Sequence, residues 1–224
     1  MHKVYEERYD NGQLKSRVNF KNDKEEGLCE WWFSNGQLAE RSNYKNGLLD
    51  GMSELWFETG QLMMRINYKN DIRDGLFERF YTNGQLKESG NYKDGELCGL
   101  WKVWYVNGKP KFRDNYKKGA LNGLSEEWYE SGALKFRERY KNGALNGLSE
   151  KWYENGLLWY HINYKNNKAD GLYEEWDGDG RLMVRANLID GKVEGMYEKR
   201  DENGQLVFSL FHTNDKLEGL YVNW

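Results

Sequence analysis

The chain has 224 residues, a formal net charge of -3 and a pI near 5.8. It carries no long basic run, so the electrostatic footprint of a nucleic-acid binder is missing. No apolar stretch approaches the roughly 20 residues needed to span a bilayer. Hydrophobic residues make up only 38% and mean hydropathy is -0.99, yet 16% of the chain is aromatic. Disorder brings few aromatics, so this combination points to a thin sheet whose rings supply most of the buried area.

From Gly12 to Gly204 a glycine recurs every 24 residues, nine times, without insertion or deletion. A second series from Gly27 to Gly219 keeps step with it. A fixed period of this size means a repeat array. The prediction is an all-β, elongated single-sheet array of about nine 24-residue β-hairpin repeats. One continuous domain then covers 1–224, closed by a C-terminal half-repeat strand with Trp224 in the Trp column.

Within the unit 27–50, two β-prone runs, Leu28 to Phe33 and Leu38 to Tyr44, flank Ser34-Asn35-Gly36-Gln37. Asn-Gly between such runs predicts a two-residue type I′ turn, with positive φ at both central residues. The second turn, at Asn46-Gly47, reads as looser, with about six residues leading to the glycine that opens the next strand. Helix is not expected, since glycine arrives too often for three uninterrupted turns. The tight turn places Phe33 opposite Leu38, Trp32 opposite Ala39 and Glu30 opposite Arg41. The same register sets Glu6 against Arg17, Glu54 against Arg65, Glu126 against Arg137 and Glu174 against Arg185. Opposite-charge pairs contribute about 0.2–1 kcal/mol each, but their recurrence supports the pairing. Period-2 alternation puts the Leu28, Glu30, Trp32 and Arg41 columns on one face. Phe33, Leu38 and Tyr44 fall on the other. The aromatic columns read as ladders that leave water by stacking on the next repeat.

Further along, Pro110 takes a Leu position and removes a strand donor. Asp177-Gly178-Asp179-Gly180 replaces an aromatic-Glu-Asn-Gly turn, Arg200-Asp201 displaces two aromatics, and Leu188 and His212 displace Tyr. Irregular late repeats suit a capping end.

Residues 128 to 148 show the repeat best: Trp128, Tyr129, Glu130, Gly132, Leu134, Tyr140, Lys141, Gly143, Gly147 and Leu148. This unit resembles the MORN-repeat variant, and the resemblance covers essentially the whole chain. It implies the hairpin-array fold. For function it implies a bacterial antitoxin of the YwqK type, an immunity partner that binds and silences a toxin. The alternative it implies is a surface or envelope protein contacting membrane lipid or host molecules.

The residues offer little chemistry. His2, His161 and His212 have no Ser, Cys or Asp partner at a suggestive spacing. The Glu column has Arg opposite most of its members, which favours a salt-bridge ladder over paired-carboxylate hydrolysis. Asp177-Gly-Asp-Gly lacks the later ligands of a calcium loop. Cys29 and Cys98 occupy different columns and read as free thiols. No catalytic residue, metal ligand or cofactor site is expected. Binding is, and residues that break the consensus are the candidates, because Trp, Tyr and Arg dominate interface hot spots. Trp31, Trp101, Phe112, Phe136 and Tyr160 share one face under this register and are the candidates for binding a protein partner, a toxin on the antitoxin reading; Phe112, Phe136 and Tyr160, in one row, predict an apolar stripe in the middle of the array. The opening Met-His-Lys-Val-Tyr-Glu-Glu lacks a secretory apolar core. Cytoplasmic is therefore the default, with secreted or envelope-associated the expectation if a leader has been removed.

Overall fold

The computed structural model describes residues 1–213 and 216–222; Trp224 lies outside them. The described residues form strands and turns with no helix. Contacts divide the chain into two compact units, Met1–Gly108 and Lys109–Trp224.

Unit one runs β1 His2–Arg8, β2 Leu14–Lys21, β3 Lys24–Glu25, β4 Gly27–Trp32, β5 Leu38–Lys45, β6 Leu48–Trp56, β7 Leu62–Lys69, β8 Ile72–Phe80, β9 Leu86–Lys93 and β10 Glu96–Trp104. Unit two runs β11 Pro110–Lys117, β12 Ala120–Trp128, β13 Leu134–Lys141, β14 Ala144–Leu145, β15 Gly147–Trp152, β16 Leu158–Lys165, β17 Lys168–Trp176, β18 Leu182–Ile189, β19 Lys192–Arg200, β20 Leu206–Thr213 and β21 Lys216–Val222. In each unit successive strands pair antiparallel, as in β5 with β6 and β16 with β17, except that β2 pairs with both the two-residue β3 and β4, and β13 with both the two-residue β14 and β15. Pro110 opens its strand, where the missing donor breaks no ladder bond.

The two turns exchange the roles expected of them. At Asn35-Gly36 the Gly36 N–H donates to Phe33 O at 2.9 Å and the Phe33 N–H to Gln37 O at 2.8 Å. Gly36 is left-handed at φ +83 while Asn35 is not. This is a three-residue loop with a glycine bulge, not a two-residue type I′ turn. The bulge shifts the register by one, so Trp32 faces Leu38 rather than Ala39, and Phe33 no longer faces Leu38. Beyond it Glu30 faces Arg41, as expected. The type I′ turn is the second one. Asn46 and Gly47 have φ +53 and +84, closed by Lys45 opposite Leu48. The next strand begins at once, so Gly51 lies inside β6 rather than opening it.

Asn35 is used for its amide. Its Oδ1 accepts the Gln37 N–H at 2.9 Å and its Nδ2 donates to Glu58 O in the next hairpin at 3.0 Å. Tyr9, in the Phe33 column of the first repeat, acts similarly, its hydroxyl donating to Trp32 O at 2.7 Å. Tyr81, Tyr129 and Tyr153 repeat that bond to Trp104, Trp152 and Trp176. A lone hairpin is marginal; these contacts tie each one to the next.

One face, the ladder face, carries the charges. Glu30 is paired with Arg41 on one side and Arg17 on the other, with ion-pair distances of 3.1 and 3.9 Å. Glu126 sits at 3% exposure between Arg113 and Arg137. The Trp column beside this ladder is covered by guanidinium groups. Arg17 stands 5.8 Å from the Trp32 ring, Arg41 5.7 Å from Trp56 and Arg137 5.6 Å from Trp152. Arg therefore interleaves with the tryptophans, where ring-on-ring stacking was expected.

The other face, the variable face, holds the core. A row crosses unit one through Cys29, Ser42, Ser53, Ile66, Phe77 and Gly90. Cys29 and Ser42 are fully buried and Ile66 is 1% exposed. Ser42 and Ser53 share a hydrogen bond of 2.8 Å. Gly90 leaves room for the Trp101 ring, which stacks on Phe77 at 5.2 Å. The row in unit two includes Ser149, Ile162, Tyr173 and Ala186.

Candidate functional site

All five aromatic candidates lie on variable-face columns, two in unit one and three in unit two. In unit one Trp31 pairs with Glu40 across β4 and β5 and meets Tyr44 edge-on at 6.3 Å. It lines a cavity of about 610 Å³ with Tyr9, Trp32, Phe33, Trp56 and Phe57, bordered by Lys15, Glu40 and Glu58. Trp101 is a core residue at 9% exposure, its ring held by Phe77 and by Tyr92 at 5.7 Å.

In unit two Phe112, Phe136 and Tyr160 stand in one row, each half-buried. The row is not purely apolar. Glu127 faces both Phe112 and Phe136, Lys151 faces both Phe136 and Tyr160, and Glu175 follows Tyr160. Aromatic and charged side chains therefore alternate across the strands, replacing the continuous stripe. The charges are partly tied down. Lys135 Nζ lies 2.7 Å from Glu127, and the Tyr173 hydroxyl donates to Glu175 at 2.7 Å.

The adjoining row holds two carboxylates that the column reading missed, Asp114 and Glu138, with Ser125 between them. Ser125 Oγ donates to Asp114 at 2.6 Å. Tyr140 and Ser149 hydroxyls donate to Glu138 at 2.7 and 3.2 Å. Burial pushes the Asp114 carboxyl above its ordinary 3.8; the Ser125 hydrogen bond opposes this, and Glu127 and Glu138 add to it. Tyr140 is pushed up too, by burial first and then by its bond to Glu138. The readable signal was local: Phe112-Arg-Asp-Asn-Tyr116 and Phe136-Arg-Glu-Arg-Tyr140 repeat one pattern.

His161 fills an Arg position in the ladder, 3.1 Å from Glu174 and edge-on to Trp176 at 5.3 Å. Asp177 turns back on its own loop. Its Oδ1 accepts the Asp179 and Arg181 N–H groups at 2.9 Å and its Oδ2 meets Arg181 Nε at 3.0 Å. Those bonds, the Arg181 N–H first, hold its carboxyl below the usual range. Among the described residues no group of three or more His, Cys, Asp or Glu is placed to hold a metal. Cys29 and Cys98 are both free thiols, and burial pushes the Cys29 thiol up.

No curated protein matches this chain. The profile of the MORN repeat variant matches residues 1–22, 25–46, 49–70, 73–94, 97–118, 121–142 and 145–166. Each matched segment centres on a three-residue hairpin loop, and the residues skipped between segments lie at the type I′ turns. The matches stop before the repeats with Asp177, Leu188 and Arg200, although β17 to β20 keep the same pairing. Seven in-phase matches cover more than half of the sequence, and the chain belongs to the MORN repeat variant family.

Proposed function

We propose that this chain is a non-enzymatic scaffold that binds a protein partner on the variable face, and that it serves as a bacterial antitoxin or immunity protein. Binding acts by occlusion. A preformed face covers the partner's active cleft, contributes no chemistry of its own and needs little ordering. The observation that carries this reading is the half-exposed aromatic row Phe112, Phe136 and Tyr160, on a sheet face that no second layer of strands or helices covers among the described residues. Trp31, beside its aromatic cavity, offers a second anchor in unit one. Membership of a repeat family suits such a role, since repeats supply the frame and outlying residues supply specificity.

The test is affinity capture from native lysate with the full chain as bait, followed by mass spectrometry. One stoichiometric partner, lost from a Phe112→Ala/Phe136→Ala variant and inhibited by the parent chain, is the expected result. Recovery of membrane material alone, with vesicle binding by the purified chain, overturns it.

A further inference from the structure

The second strands of two consecutive hairpins in unit two place a carboxylate between aromatics: Phe112, Asp114 and Tyr116 on β11, and Phe136, Glu138 and Tyr140 on β13. Equivalent positions elsewhere hold Ser42, Ile66, Ile162 and Ala186, none of them charged. Alternation along the strand puts all three side chains of each set on the variable face. Only β12 separates the two strands, with Ser125 opposite both acids. At about 4.8 Å per strand the carboxylate-bearing backbones lie roughly 10 Å apart.

Among the described residues neither acid is paired with a cation. Their hydrogen bonds come from the neutral hydroxyls of Ser125, Ser149 and Tyr140, and among the described residues no ion pair reaches Asp114 or Glu138. The contrast with Glu126 on the ladder face, held by two arginines, is direct. A half-buried carboxylate hydrogen-bonded to neutral hydroxyls keeps an uncompensated charge, and two in succession put a local excess of negative charge between aromatic walls. The rings already draw cations, the chain's own. Lys111 stands 5.4 Å from the Phe112 ring centre and Lys151 5.0 Å from that of Phe136.

We propose that this part of unit two is the docking site for a basic segment of the partner protein, whose arginine side chains enter between the aromatic rows and pair with Asp114 and Glu138. The inference rests on the reading of the chain as a protein-binding scaffold and adds the chemistry of what it grips. A guanidinium fits because it stacks on aromatic faces and bonds carboxylates through a planar fork. Charge-assisted bonds in a partly desolvated site are about twice as strong as neutral ones.

The experiment is fluorescence anisotropy of a dye-labelled penta-arginine peptide with the full chain at physiological salt. Penta-citrulline, of the same shape without charge, is the control. The site predicts binding of penta-arginine alone, weakened at least about tenfold by Asp114→Asn/Glu138→Gln, near-isosteric changes that remove charge-assisted bonds. Glu6→Gln/Glu7→Gln, which removes as much charge from unit one, leaves binding unchanged. Phe112→Leu, which keeps both acids, weakens it. Equal binding of penta-citrulline, equal loss in the Glu6/Glu7 variant, or full binding by the Asp114/Glu138 variant overturns the proposal. If penta-arginine binds as described but lysate yields no protein, the docking chemistry stands and the scaffold reading falls. If a partner is captured equally well by Asp114→Asn/Glu138→Gln, the scaffold reading stands and the docking site falls.

Discussion

Gly90 shows how the core of this chain is shared between repeats. Its backbone is free of left-handed strain, so alanine there would ordinarily be neutral or stabilise slightly through the unfolded chain. A Cβ at that position would instead lie 2.1 Å from the Trp101 ring. Gly90→Ala therefore destabilises by about 1–3 kcal/mol, the range for overpacking. Trp101→Leu in the same chain recovers part of that loss, read by denaturant unfolding of the two single variants and the double variant. Asp114 makes a second prediction at this scale. Burial raises its folded pKa above the unfolded 3.8, so its protonated form favours folding. That stability is present below the unfolded value and is lost as pH rises through the folded one. Asp114→Asn is accordingly more stable than the parent at neutral pH and loses the advantage on acidification below 3.8, measured by thermal unfolding across pH. Such residues were hard to read from the sequence. The column of Cys29, Ser53, Phe77 and Trp101 is not uniformly hydrophobic, because a large side chain in one repeat fills space left by a small one in the next.

At the scale of the strand and turn, the period and the Glu–Arg register were legible because charge opposite charge recurs at fixed spacing. Glu6 faces Arg17, Glu54 faces Arg65, Glu126 faces Arg137 and Glu174 faces Arg185. The turn types were not. Asn-Gly is the strongest signal for a type I′ turn, yet Asn35 is selected by two hydrogen bonds, one of them to the next hairpin. The left-handed pair went to the second turn, where Asn70-Asp71 and Asn166-Asn167 adopt it without glycine. A dipeptide rule sees the loop alone and misses the neighbouring repeat. The ladder itself is testable by position. Glu126 is 3% exposed between two arginines, whereas the Glu6 side chain, on the first strand, is 37% exposed. Glu126→Gln costs about 1–3 kcal/mol through lost charge-assisted bonds. Glu6→Gln stays within about 0.5 kcal/mol, as for exposed pairs. Equal losses in thermal unfolding would show that the ladder contributes uniformly and that burial does not set its strength.

For the molecule as a whole, two thin units built from paired strands leave a large share of side chains half-exposed on the variable face. Phe112, Phe136 and Tyr160 could be found in the sequence because they break a repeating column, and the register placed them on one face correctly. Asp114 and Glu138 were missed because a carboxylate in a strand reads as solvated surface until its neighbours are known. Trp101, an outlying tryptophan that reads as an anchor in the sequence, also fills the space over Gly90. The most direct measurement is hydroxyl-radical footprinting of the chain alone and bound to the partner it captures. A variable-face interface predicts that oxidation of Phe112, Phe136 and Tyr160 falls on binding while Trp128 and Trp152, on the ladder face, are unchanged. Protection of Trp128 and Trp152 with Phe112 and Phe136 still reactive would contradict it.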